Sequence, residues 1–386
     1  MNVITNNKYD AIVVGAGPAG STAAYLLAAS GMRVTLIDKC VFPRNKLCGG
    51  VLTGRSKKIF HDVFKRSWDP IIEKISNGAT FFNKYDFLNS VDIYPPLFFT
   101  SRYTLDAFLV ELAKEKGARI VQGNSVSTVH EIENSVIFKN GKRMLADFII
   151  GADGVMSRVA NCLFPDSQEI NKLALGFETE IPIDQVNEQI IKPEIYFGLV
   201  KWGYGWVFPK QNKLTVGVGG LKSLNPNIKE VLLDLLDHRF GISLKNHINA
   251  HYFPFGGYRT TPGRKNILLV GDAAGLAEPI TGEGISFAME SGKLAAESIL
   301  KAASSNDPSR AYAEYKIKYD KLTKLLKYAN IIKYLVFKKS IAPFFYNAMR
   351  RSDNVVLKYK DIMDGEIGYN DYLKLILRKA PKLIFR

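Results

Sequence analysis

Cysteine is scarce in this 386-residue chain: Cys40, Cys48 and Cys162 are the full set. Three scattered thiols are too few for a disulfide framework or a metal cluster, so no metal site is expected. Long apolar runs are missing as well, and no stretch reaches the roughly 20 residues that span a bilayer. The polar lead-in from Met1 to Lys8 runs directly into a strand pattern. No signal peptide is therefore expected, and the protein is expected to be cytoplasmic. Histidine is sparse too, and none of the five lies in a setting that suggests catalysis. Acidic residues are the charge in short supply. The net charge is +15, and residues 301–386 alone hold 19 Lys+Arg against 8 Asp+Glu, or +11. Such a tail fits nucleic acid, an anionic membrane surface, or simply a solvated helical face. What remains, 47% hydrophobic and 23% charged, is ordinary for a globular chain with one large core or two to three smaller ones.

The strongest signal is near the start. Tyr9–Val14 reads as a strand, Gly15-Ala16-Gly17-Pro18-Ala19-Gly20 as a tight glycine turn, Ser21–Ser30 as a helix, and Arg33–Ile37 as a second strand ending at Asp38. Gly15 permits the turn, Gly17 lets backbone approach a pyrophosphate, and Gly20 lets the helix pack close to the sheet. The helix N-terminus presents free amides to the phosphates. Asp38 follows Gly20 by 18 residues, where a carboxylate meets an adenosine ribose. No second complete G-x-G-x-x-G occurs, so no dedicated nicotinamide domain is expected.

Further along, Lys39–Gly50 has no strand or helix period and reads as a loop, with Gly49-Gly50 suited to close approach of a ligand. A helix is expected at Arg55–Val63, aromatic strands over Gly78–Thr100, and a helix from Arg102 to about Lys116. Short strands follow to Ile150, then Gly151-Ala152-Asp153-Gly154 and a helix start at Ser157. Residues 173–262 alternate and contain the aromatic strip Tyr204-Gly205-Trp206-Val207-Phe208-Pro209-Lys210. Rossmann-like signals return at Ile267–Val270, Gly271-Asp272-Ala273-Ala274-Gly275 and Gly282-Glu283-Gly284-Ile285, which opens a helix to about Leu300. The tail is helical, with Tyr315, Tyr319, Leu322 and Leu326 on one face and lysines around it. The expected fold is α/β: a discontinuous Rossmann-like domain (1–75, 100–165, 263–300), an inserted mainly antiparallel β domain (76–99, 166–262), and a basic helical C-terminal region (301–386).

The three glycine-and-acid pieces, in this order and spacing, resemble the FAD-binding set of the para-hydroxybenzoate-hydroxylase-like branch of glutathione-reductase-like flavoproteins. Lys46-Leu47-Cys48-Gly49-Gly50 and Tyr204-x-Trp206-x-Phe208-Pro209 further resemble motifs of the geranylgeranyl reductases. The match departs at Val51, where members often carry another glycine. The resemblance implies FAD, held by Gly15, Gly17, Ala19, Gly20, Asp38, Lys39, Arg44, Cys48, Gly49, Arg102, Val126, Asp153, Gly271, Asp272, Gly282, Gly284 and Ile285. In it Asp38 holds the adenosine ribose, Arg102 contacts FAD, Val126 supplies a backbone contact to adenine, and Asp272 accepts from the ribitol. The amides of Gly282–Ile285 face the pyrimidine end of the flavin, a role that helix-terminus electrostatics also favours.

The resemblance implies reduction of C=C bonds in a polyprenyl lipid or prenylquinone, by hydride from reduced flavin N5 and a proton at the neighbouring carbon. Cys48, Tyr204 and Trp206 are the expected catalytic and substrate-facing residues. Cys48 also reads plainly as a small buried hydrophobe, the aromatic strip as core, and Glu283 as a helix-start acid. Cys40 and Cys162 are expected to be structural. The electron donor is NADPH, NADH or a ferredoxin-like protein. The basic tail then suits peripheral contact with the inner face of a membrane rather than nucleic acid. Three other readings share the motifs: a flavin monooxygenase or halogenase acting on a small aromatic, an electron-transfer flavoprotein, and a non-catalytic lipid-binding scaffold. The second needs a four-cysteine iron–sulfur site, and no cysteine follows Cys162.

Overall fold

The computed structural model describes residues 8–374 except 166, 168–172, 188, 244–246, 306 and 373. The lead-in 1–7 and the end of the basic tail, 375–386, lie outside the described residues. The chain opens with β1 (Tyr9–Val14), α1 (Pro18–Ala29) and β2 (Val34–Ile37). All of β2 and the last four residues of β1 are buried, as parallel strands covered on both faces must be. Pro18 sits in the first turn of α1, where an N–H is not needed. Next come β3 (Val51–Leu52) and α2 (Gly54–Phe64), whose Thr53 hydroxyl accepts from the Ser56 amide. The long hairpin β4 (Lys74–Asn83) and β5 (Asp86–Phe99) leads to α3 (Arg102–Glu115), capped by Ser101. β6 (Arg119–Val121), β7 (Val126–His130), β8 (Ser135–Phe138), β9 (Arg143–Gly151) and α4 (Arg158–Leu163) complete the first half.

The second half holds β10 (Ala174–Pro182), β11 (Glu194–Phe197), β12 (Gly203–Pro209), β13 (Lys213–Leu221), α5 (Ile228–Phe240) and β14 (Asn249–Phe253). It returns through β15 (Gly263–Arg264) and β16 (Ile267–Leu269) to α6 (Ile285–Ser304). It ends in α7 (Arg310–Phe337), α8 (Ala342–Arg351) and α9 (Asp353–Met363).

Two sheets result. One runs β15-β16-β9-β1-β2-β6, parallel except at β15, with β8 and β7 appended to β9. The other runs β14-β10-β13-β12-β11-β4-β5-β3, antiparallel except where β11 meets β4. It takes strand from Val51 and from Lys74, earlier than the segment beginning at residue 76.

α7 buries Tyr315, Tyr319, Leu322 and Leu326, the face its spacing indicates. The Tyr315 hydroxyl donates to the Leu269 carbonyl at 2.8 Å, and that of Tyr319 to the Arg259 carbonyl at 2.9 Å, so α7 is bolted to the first sheet. α8 and α9 turn back onto β5, where the Asn89 amide donates to the Met349 carbonyl at 2.8 Å. Met349, Val355 and Val356 share one apolar cluster with Phe81, Phe197 and Trp206. The C-terminal helices thus close over the second sheet.

Candidate active site

A cavity of about 1220 Å³ lies between the two sheets. It runs from Asp38 and Arg102 to Met349, Val355 and Tyr372 beneath the C-terminal helices. That exceeds the roughly 300–1,000 Å³ of a pocket for one drug-sized ligand. Every residue expected from sequence to bind the cofactor lines it except Gly20, and so do Tyr204 and Trp206.

At the first sheet, Gly15 has φ +102°, and a Cβ there would lie 2.3 Å from the Ala152 carbonyl oxygen. A Cβ on Gly20 would lie 1.8 Å from the Gly15 oxygen. Gly20 therefore serves the helix–strand contact, which explains its absence from the cavity wall. Ala19 packs its methyl against Gly271, where a Cβ would approach to 3.0 Å. Over Gly17 there is room: the nearest atom to a Cβ is Arg102 Nη2, at 3.4 Å. α1 has no side-chain cap, so its first amides face the cavity unscreened.

The acids behave differently from one another. Asp38 is nearly buried, and its carboxylate accepts from the Ala16 and Cys40 amides, both at 2.8 Å. Asp153 spends its oxygens on its own chain. They accept from the Ser157 hydroxyl and the Arg158 and Val159 amides, bracing the start of α4, whose cap is Ser157, while Asp153 and Gly154 line the cavity wall. Burial pushes the Asp153 carboxyl up against those hydrogen bonds. Asp272 accepts from Lys46 Nζ at 3.3 Å and lies 3.7 Å from where a Cβ on Gly284 would be. Arg102 binds Asp106 through two hydrogen bonds of 2.6 and 2.7 Å, and Arg44 reaches the same carboxylate at 3.0 Å. Burial opposes the Arg102 charge, but Asp106 outweighs it and the guanidinium holds its proton more tightly than usual. Arg44 keeps a buried Nη1 without a partner. One carboxylate between two guanidiniums leaves a net positive charge beside the α1 amides. This donor set fits a dinucleotide diphosphate, with Lys39 and Lys46 adding charge at the same wall.

On the far side, the loop 278–284 leads into α6. Glu283 caps the helix, accepting from the Ser286 amide at 2.9 Å, and also takes the Ser56 hydroxyl. The Tyr204 hydroxyl donates to the Thr281 carbonyl, pinning β12 to this loop. Burial, then the nearby Glu278, keeps the Tyr204 phenol strongly protonated.

Between these walls stands the loop Cys48-Gly49-Gly50. The Cys48 sulfur accepts from the Gly50 amide at 3.4 Å. A Cβ on Gly50 would lie 1.9 Å from the Thr100 oxygen, and one on Gly49 2.7 Å from the Phe208 ring. The loop is therefore pressed against the aromatic strip. Pairing puts Trp206 opposite Gly217 and Gly217 opposite Glu178. A Cβ on Gly217 would lie 2.3 Å from the Trp206 ring, so the missing side chain lets the indole lie across β13 toward Glu178. Glu178 and Lys210 are both buried. Glu178 Oε1 accepts from the Cys48 amide at 3.4 Å, while Oε2 and the Trp206 indole nitrogen have no well-formed hydrogen bond.

Sequence reasoning passes over Glu178, Asp106, Glu278 and His251. The available signal for Glu178 was an acid on the same strand face as Gly176, opposite the Gly217-x-Gly219 pair. Among the described residues, no cluster of three His, Cys, Asp or Glu side chains is placed to hold a metal ion.

The chain is similar to several known proteins in sequence and fold. Residues 8–182 match the FAD binding domain family, and residues 97–363 match the tryptophan halogenase family. An uncharacterised protein of Methanosarcina barkeri is 30% identical over 92% of this chain and 89% of its own. The geranylgeranyl diphosphate reductase of a Synechocystis species is 30% identical over 79% of this chain and 78% of its own. The menaquinone reductase of Mycobacterium tuberculosis is 29% identical over 76% of each chain. Among solved structures, a geranylgeranyl bacteriochlorophyll reductase-like protein of Thermoplasma acidophilum superposes with a TM-score of 0.78 over 98% of both chains at 23% identity. A flavin-dependent brominase superposes with a TM-score of 0.71 over 97% of this chain and 100% of its own, at 19% identity.

Proposed function

Because the chain belongs to the geranylgeranyl reductase family of FAD-dependent oxidoreductases, we propose that it reduces carbon–carbon double bonds of a polyprenyl lipid or prenylquinone. One observation carries this reading: a single cavity leads from the diphosphate-binding wall at Gly17 and Arg102 into an apolar end at Phe197, Met349 and Val355. A small aromatic substrate would need no such length, whereas an isoprenoid chain fills it and buries its methyl branches at about 25 cal/mol per Å².

When bound, FAD supplies a hydride equivalent. The protein does the rest. The α1 amides with Arg102 and Arg44 hold the diphosphate, and Asp38 takes the ribose. The Gly284 and Ile285 amides at the start of α6, next to the Ser286 amide that Glu283 takes, stabilise negative charge at the pyrimidine end. Tyr204 fixes the loop 278–284, and the Cys48-Gly49-Gly50 loop and Trp206 shape the space between flavin and chain and exclude water. The Cys48 thiol faces the reacting region. Electrons reach the flavin from NADPH, NADH or a ferredoxin-like protein acting transiently, since the chain has no second dinucleotide fingerprint.

Among the described residues no helix is long and apolar enough to cross a membrane. Peripheral contact is supported by α7, where Ile331 and Tyr334 are exposed between the exposed Lys327 and Lys338.

The halogenase family match over residues 97–363 favours a second reading, oxygen-dependent chemistry on a small aromatic. Both are tested by reducing the FAD-loaded protein with dithionite under anaerobic conditions and adding geranylgeraniol or a prenylquinone. Flavin reoxidation with two hydrogens gained per double bond is expected. Flavin that stays reduced with every prenyl lipid, but reoxidises with oxygen and hydroxylates or halogenates an aromatic, overturns the proposal.

A further inference from the structure

The reduction needs a proton as well as a hydride, and the groups around the Cys48 loop differ in their capacity to give one. The Tyr204 hydroxyl donates to the Thr281 carbonyl, so its proton is committed. The Cys48 sulfur accepts from the Gly50 amide and is part of the loop's own turn. Trp206 carries an N–H that does not ionise. Glu178 remains. It is buried in the cavity wall, with Oε1 accepting from the Cys48 amide at 3.4 Å and Oε2 facing the Trp206 indole without a well-formed hydrogen bond. A buried carboxyl so weakly hydrogen-bonded is a feature that folding alone does not favour.

Its surroundings suit a group that cycles between acid and carboxylate. Lys210 is the foremost positive charge acting on it, and it too is buried. The Lys210 Nζ would lie only 3.1 Å from a Cβ on Gly50, so the ammonium sits directly under the Cys48 loop. From the same strand Glu180 opposes ionisation, but it is more exposed and paired with Lys213 at 2.8 Å. From β14, His251 answers to Lys46, Asp272, Arg102 and Lys39 rather than to Glu178. Burial, the largest influence, raises the Glu178 carboxyl to about 7, so near neutrality it holds a proton and can part with it.

Resting on the reduction reading above, we infer that Glu178 is the catalytic proton donor, with Lys210 as the positioning residue that receives it as a carboxylate. The hydride equivalent that bound FAD would supply goes to one alkene carbon. The proton on Glu178 goes to the other, the π bond breaks, and two C–H bonds form. Glu178 is left as a carboxylate beside the Lys210 ammonium and takes its proton back from water.

The test follows reoxidation of dithionite-reduced holoenzyme by geranylgeraniol from pH 5.5 to 9. The wild-type rate is expected to fall above about pH 7. Glu178→Gln, at unchanged FAD content, loses about 100-fold or more in rate and loses the pH limb. Glu178→Asp recovers part of the rate and keeps a limb, Lys210→Met moves the limb to higher pH, and Cys48→Ser retains it whatever its rate. A readout independent of turnover is the infrared carboxyl band of the oxidised holoenzyme, which should titrate near neutrality in wild type and be missing from Glu178→Gln. Wild-type rate or an intact limb in Glu178→Gln overturns the donor assignment while leaving the reduction reading in place. If the wild-type flavin stays reduced with every prenyl lipid, both fall, although the infrared titration still reports the Glu178 proton.

Discussion

Two titratable side chains on adjacent strands, buried Glu178 and half-buried His251, pull stability in opposite directions with pH. The Glu178 carboxyl is raised from 4.5 to about 7, chiefly by burial. Between those values the folded protein keeps a proton that the unfolded chain releases, so stability falls as pH rises through that window. The full loss is about 3 kcal/mol once pH exceeds the folded value. His251 is lowered from 6.5 to about 4, again chiefly by burial, with its Nε2 unpartnered. Here the unfolded chain binds the proton first, so stability falls as pH drops from 6.5 toward 4. Urea midpoints of the holoenzyme should show Glu178→Gln gaining on wild type between pH 5 and 8, and His251→Gln gaining on it between pH 6.5 and 4.5. Parallel curves for wild type and variants would contradict both.

Legibility at this scale depends on locality. Gly15, Gly17, Gly20 and Asp38 could be read because all four lie within one strand–turn–helix–strand unit. Glu178 could not, because its meaning comes from Gly217 on the next strand and from Cys48, 130 residues away. Asp153 lines the cavity as its flanking glycines suggest, but its bonds to the start of α4 appear only in the fold.

At the scale of elements, the end of α9 is held by a buried ion pair. Asp364, at the end of α9, accepts from the Gly54 amide at 2.6 Å and from the Lys360 ammonium, and both charged side chains are almost fully buried. Asp364→Ala leaves Lys360 buried and unpaired, with an expected loss of about 3–5 kcal/mol. Asp364→Ala with Lys360→Met should recover much of it. Chemical denaturation of the single and double variants checks this, and a double variant no better than the single would contradict the pairing. The helices themselves were evident from their apolar period, and the buried face of α7 was read correctly. That spacing says nothing of where the last two helices lie, and α8 and α9 pack on β5. A charge inventory cannot distinguish Lys360, paired in the interior, from Lys338 in solvent.

For the whole molecule, the first sheet supplies a positive, amide-lined wall, the second an aromatic one, and the C-terminal helices the apolar end. The sequence order of the glycine motifs disclosed the first wall, and the alternation of residues 203–209 the second. The end wall required the tertiary fold, because Met349 and Val355 meet Phe197 across some 150 residues of chain.

The central claim is that a prenyl chain lies along this one cavity, its reacting end at Cys48 and Trp206 and its tail at Met349 and Val355. The most direct measurement is a titration of the oxidised holoenzyme with prenyl alcohols of two to five isoprene units, read from the flavin absorption band. Affinity should rise with each unit in the wild type, and Val355→Trp should abolish the gain from the longest chains while leaving the shortest unaffected. Affinity independent of chain length, or a Val355→Trp variant that keeps the wild-type length dependence, would contradict the account.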